Sequence, residues 1–165
     1  MTGTADSAVA RRHFEGWLAA HQGYGFVLAN AGEPMVRGRM LAQLTSLTGR
    51  QQDPEYICLL MEQRLGDETP AHIGRTRTPG RYWSDHLRGL LAAQGEYARW
   101  RRRLLREGHD TVRYDLHLYV IGQRHVAFAP QPDGPVSAEA VERQLVALAT
   151  EGFPLRLLND GDQTG

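Results

Sequence analysis

The sequence predicts a small α/β domain: a sheet of about three strands flanked by helices, behind a mainly helical N-terminal extension. Three observations predict it. The runs YICLLME (56–62) and AHIGRT (71–76) have strand length and are joined by a polar turn, so they read as a hairpin. Two helix-like segments follow, and then TVRYDLHLYVI (111–121) alternates apolar and polar residues. A last helical segment closes the chain, giving the order strand, strand, helix, helix, strand, helix.

The elements can be justified in turn. Residues 6–22 carry Val9, Phe14, Trp17 and Leu18 at helical spacing behind an Asp6 cap, and a second helix is expected around 36–47. The stretch TGRQQDP (48–54) is polar and ends in proline. It predicts a boundary between an extension, 1–52, and a domain, 53–165. After the hairpin, Thr78 and Pro79 supply an N-cap and a first helical residue for a helix running to about Ala93. Another helix is expected from Glu96 to Glu107, stopped by Gly108. In the third strand Val112, Tyr114, Leu116, Leu118 and Val120 share one face, as in a half-buried strand. Ser137 caps the last helix, which Gly152 and Pro154 stop.

At 41% hydrophobic and 23% charged residues, the 165-residue chain has the composition of a globular domain. Its single cysteine, Cys58, excludes an internal disulfide and a cysteine-based zinc framework. No signal peptide or apolar run of transmembrane length is present, so a cytoplasmic location is expected. All 19 basic residues are arginine. Nine of them stand between Gly74 and Arg106 against Asp85 and Glu96, a local excess of seven. Codon bias accounts for the missing lysine but not for the clustering. Arg75, Arg77, Arg81 and Arg88 lie around the Thr-Pro-Gly turn, while Arg99, Arg102, Arg103 and Arg106 form a stripe on the following helix. Such a stripe is either a solvated face or a phosphate-tracking surface.

Glu142 falls inside the apolar sector of the last helix, among Val141, Leu145, Val146 and Ala149. A carboxylate there needs an arginine, a metal ion or a hydrogen-bond network, unless it reaches past the stripe edge to water. None of the seven histidines shows His-x-x-His or His-x-x-x-His spacing, so a dedicated zinc site is not expected. His72 and His86 flank the same glycine-bounded turn and are expected to converge over it.

Taken in order, Tyr56-Ile57, His72-Ile73-Gly74-Arg75-Thr76, His86, Glu142 and Leu157-Leu158-Asn159 resemble the GIY-YIG nuclease superfamily. The segments YARWRRRLLREG (97–108) and AEAVERQLVALATEGFPLRLLN (138–159) read like its small bacterial and phage members. The resemblance covers about residues 54–160. It implies a three-stranded β-β-α-α-β-α domain that hydrolyses phosphodiester bonds as a metal-dependent DNA endonuclease, with RNA as the alternative polyanion. By the resemblance, Tyr56 positions the attacking water, Glu142 holds Mg²⁺ or Mn²⁺, Asn159 closes the site and His86 matches a histidine on the helix face. It also implies that Tyr56, His72, His86 and Glu142 line one cleft.

Three departures stand out. Pro54-Glu55 precede Tyr56 in place of Gly-Ile, and His72 replaces the second-motif tyrosine. Tyr82 occupies the arginine position, with Arg81 one residue earlier, a rotation of about 100° on a helix. Arg81, or else Arg75 or Arg77, is then the candidate cation for the scissile phosphate. The alternatives are a relative that keeps the basic surface but has lost cleavage, and an unrelated α/β domain. The extension is expected to serve dimerisation or specificity.

Overall fold

A computed structural model describes residues 3–29, 36–49, 51–64, 67–106, 115–126, 137–154 and 156–158. The elements are α1 (Gly3–Ala20), β1 (Gly25–Ala29), α2 (Arg37–Thr48), β2 (Tyr56–Arg64), β3 (Asp67–Thr76), α3 (Pro79–Ala92), α4 (Glu96–Arg106), β4 (Leu116–Gly122) and α5 (Ala138–Gly152). The expected strand, strand, helix, helix, strand, helix order stands in β2 through α5. The sheet itself has four antiparallel strands in the order β1-β4-β2-β3, not three.

The additional strand comes from the predicted extension. β1 is the five-residue run GFVLA, too short to show a period, and it acquires strand character by pairing with β4. Gly25 lies opposite Tyr119, and a Cβ on Gly25 would stand 2.6 Å from the Tyr119 ring. Only glycine lets the two strands meet there. Among the described residues of the first 52, α1, β1 and α2 all contribute side chains to the same core as the later elements. Phe14 and Leu18 of α1 are buried in the cluster that holds Val141 and Leu145 of α5. These residues of α1 thus face inward.

Two apolar layers sandwich the sheet. On one side Tyr56, Cys58, Leu60, Leu116, Leu118 and Val120 meet Trp83, Leu87 and Leu90 of α3, Trp100 of α4, and Met40 and Leu44 of α2. On the other, Ile57, Leu59, Met61, Ile73, Tyr119 and Ile121 meet α1 and α5. β4 is consequently buried on both faces, which corrects the half-buried expectation. Leu116, Leu118 and Val120 do share a face, but Tyr119 and Ile121 opposite them are covered as well. Val112 and Tyr114 lie outside the described residues.

Local signals act where they were expected, with one exception. Ser137 Oγ accepts from the Ala140 N–H at 3.1 Å and caps α5. Thr78 is the N-cap residue of α3 but its side chain makes no cap bond; its own N–H donates instead to Thr76 Oγ1 at 3.0 Å. In β3 the pairing passes from Leu60–His72 to Met61–Pro70, so Ala71 is an extra residue. Proline has no N–H to give a ladder, and a bulge on an edge strand accommodates it. No helix among the described residues is long and apolar enough to cross a membrane.

Candidate functional site

The polar centre of the α3 side is built on His72. It projects from β3 beneath α3, whose Tyr82, Trp83 and His86 fall on one face through i, i+1 and i+4 spacing. The His72 and His86 rings have centroids 4.6 Å apart, and the Tyr82 and His86 rings 4.1 Å apart at 30°. Tyr82 Oη lies 2.5 Å from His72 Nε2. The same hydroxyl sits over Gly74, where a Cβ would approach it to 2.1 Å. The glycine therefore admits the phenol onto the strand.

α4 contributes the carboxylate. Ala93 adopts a left-handed conformation (φ 54°) and Gly95 another (φ 61°), turning the chain so that α4 starts beside α3. Glu96 Oε2 then lies 3.3 Å from His72 Nδ1, and Glu96 Oε1 lies 3.5 Å from His86 Nδ1. Tyr97 Oη is 2.9 Å from the same His86 nitrogen. His72, His86 and Glu96 each offer one ligand atom, and the three atoms lie within 4.8 Å of one another.

Burial sets the protonation states. It lowers His86 to about 4, and the neighbouring His72 charge adds to the shift. Burial alone would raise Glu96, but the His72 contact, with the charges of His86 and Arg99, holds its carboxyl below the usual range. Burial first, and then neighbouring negative charge, pushes the Tyr82 and Tyr97 phenols upward, so both stay neutral. Burial likewise pushes the Cys58 thiol up to about 12.

These shifts predict acid sensitivity. His86 binds a proton near 6.5 when unfolded and only near 4 when folded, so the unfolded chain takes up more protons between those values. The associated stability is complete above about pH 6.5 and is lost as pH falls toward 4. The depressed Glu96 carboxyl loses its contribution in the same direction, below its unfolded value of 4.5. Discounting for partial exposure, the His86 contribution is about 2 kcal/mol. Between pH 7.5 and 5.0, in the presence of a chelator, the melting temperature of the wild type should fall by several degrees more than that of His86→Gln. Equal losses would remove His86 as the cause.

The remaining expected site residues have partners of their own. Tyr56 is buried on the α3 side, and its hydroxyl accepts from the Asp53 N–H at 2.9 Å. Glu142 stands on α5, across the sheet, beside the outer strand β3. Its Oε2 accepts from Arg75 Nε at 3.1 Å, and Arg75 Nη1 also reaches Glu55 Oε1 at 3.1 Å. Arg77 Nε approaches the same Glu55 oxygen at 3.5 Å. An arginine is thus the partner that the apolar setting of Glu142 called for. His72 and His86 converge as expected, with ring centroids 4.6 Å apart, whereas Glu142, on α5, has Arg75 as its partner.

Among the other arginines, Arg81, Arg88, Arg99 and Arg102 are exposed, and Arg99 also donates to the Leu158 carbonyl. The side chains of Arg103 and Arg106, and all of Asn159, lie outside the described residues. Sequence reasoning missed Glu96, Tyr97 and the covering role of Tyr82. The Tyr82–His86 spacing was a usable signal; the return of Glu96 through the Ala93–Gly95 turn had none. The chain matches no protein-family model, and no curated protein or solved structure matches it.

Proposed function

We propose that this chain binds nucleic acid through the exposed arginines of a GIY-YIG-like scaffold and does not cleave it. The observation that carries this reading is Tyr82. At the position where the resemblance implies an arginine, a neutral phenol is hydrogen-bonded to His72 and lies over Gly74. Phosphodiester hydrolysis needs a cation at the phosphate, an activated water and a metal that stabilises the leaving oxygen. Tyr82 supplies no charge, and the Tyr56 hydroxyl is engaged by the Asp53 backbone. Glu142 is neutralised by Arg75. Arg81, Arg88 and Arg102 remain exposed and suit phosphate contacts.

A second reading is the metal-dependent endonuclease. It is favoured by Arg75 bridging Glu55 and Glu142, since withdrawal of that arginine leaves two carboxylates for Mg²⁺ or Mn²⁺. One experiment separates the two. Supercoiled plasmid incubated with the purified chain and either ion should be retarded at low salt yet remain supercoiled. Divalent-dependent nicking by the wild type that disappears in Glu142→Gln overturns the non-cleaving reading. Absence of retardation for both DNA and RNA overturns the binding reading.

The same variant carries a stability prediction. The Arg75 and Glu142 side chains are 33% and 30% exposed, so water screens their ion pair. Glu142→Gln should therefore cost less than about 1 kcal/mol. Denaturant titration checks this: a loss of several kcal/mol would mean that Arg75 is held in a far drier setting.

A further inference from the structure

The geometry points to a transition-metal site, zinc by its donor chemistry, formed by His72, His86 and Glu96. It is separate from the Mg²⁺ or Mn²⁺ expected at Glu142. Two imidazoles and one carboxylate favour zinc and its d-block neighbours over hard magnesium or calcium. Zinc arms of about 2.0–2.1 Å place tetrahedral donors roughly 3.4 Å apart. One ligand atom from each residue lies within 4.8 Å of the other two, and each Nδ1 is close to one Glu96 oxygen, Oε2 at 3.3 Å for His72 and Oε1 at 3.5 Å for His86, so a small closure brings the set onto one ion.

The second observation is what these atoms lack. His72 is 5% exposed, and both its Nδ1 and Glu96 Oε2 are buried without a hydrogen bond. They face each other at 3.3 Å without hydrogen-bond geometry. In the tautomer whose Nε2–H donates to Tyr82 Oη, the one that a metal bound at Nδ1 selects, Nδ1 presents a lone pair toward the Glu96 carboxylate. In that tautomer both atoms are buried acceptors, and a shared cation satisfies both. The Tyr82 contact is also the outer-shell bond that commonly orients a ligating imidazole. The ion replaces the contact between His86 Nδ1 and the Tyr97 hydroxyl, 2.9 Å away.

The site is accessible. A surface groove lined by Asp85, His86, Arg88, Gln94, Glu96 and Tyr97 reaches two of the three ligands. It provides an entry path and leaves the fourth position to water or to an anionic group beside Arg88. Because the ligands come from β3, α3 and α4, the ion would staple those elements beneath Tyr82.

The test uses the full chain, treated with chelator and dialysed. Calorimetric titration with Zn²⁺ should give one equivalent bound with a dissociation constant of about 1 µM or tighter, and Co²⁺ should give the intense visible absorption of a four-coordinate ion. Excess Zn²⁺ should raise the melting temperature. Glu96→Gln and His86→Ala, each first shown to melt cooperatively without metal, should bind at least about tenfold more weakly. Failure of the wild type to bind stoichiometrically, or unchanged affinity in both variants, overturns the assignment and leaves a plain His–Glu contact or a surface histidine as the explanation. A Mg²⁺ affinity equal to that for Zn²⁺ overturns it as well.

Discussion

Truncation of Trp83 to alanine should cost about 3–5 kcal/mol of folding stability. Trp83 is 0% exposed in the first turn-and-a-half of α3, and it packs into the cluster that joins α2, α3, α4 and the sheet. Its indole stands edge-on to His72, with ring centroids 6.1 Å apart, and 5.4 Å from His86. The removed volume cannot be refilled readily, because Cys58 and Gly74 beneath it are fixed by the β2–β3 ladder. Domains of this kind hold about 5–15 kcal/mol in total, so the variant should lie near its folding threshold. A urea titration should show a lower midpoint with an unchanged slope. Trp83→Phe, which keeps a ring against His72, should lose less. A Trp83→Ala midpoint within about 1 kcal/mol of the wild type would show that α3 is anchored elsewhere.

The combined substitution of Arg81, Arg88 and Arg102 by glutamine should weaken nucleic-acid binding by about two orders of magnitude at 0.1 M salt. Each phosphate contact on duplex DNA contributes roughly 0.9 to the slope of log affinity against log salt, so three lost contacts flatten it by about 2.7. These residues are exposed, and substituting them removes no packed surface. The melting temperature should therefore stay within a few degrees of the wild type. Arg99 makes a useful contrast because its guanidinium caps the Leu158 carbonyl. Replacing Arg99 should affect stability as well as binding. Unchanged affinity and salt slope in the triple variant would identify these arginines as a solvated face only.

The two results bear on different layers of the molecule. Trp83 supports the His72–Tyr82–His86 centre from below, whereas the arginines act from the surface. A chain that loses binding in the arginine variant and cleaves nothing at any divalent concentration fits the non-cleaving reading. One that nicks DNA only with Glu142 intact returns function to the β3 edge, where Arg75 joins Glu55 and Glu142.

What the sequence determined by itself is local. The β2–β3 hairpin, the proline start of α3, the Ser137 cap and the apolar stripe of α5 all follow from interactions within a few residues, although the strands extend through most of the turn expected at 64–70, to Arg64 and from Asp67. The convergence of His72 and His86 was also legible, because both flank one short turn. The tertiary structure alone decided the rest. GFVLA became a strand because β4 offered it an edge some ninety residues later, with Gly25 opposite Tyr119. That addition and the packing of α1 buried the second face of β4, which alternation had assigned to water. Glu96 became a partner of the two histidines through a left-handed turn at Ala93. Glu142 found its partner in Arg75, sixty-seven residues earlier. Helical and strand periods report which face of a segment is apolar; which other segment meets that face depends on contacts between residues far apart in the chain, and no local period encodes them.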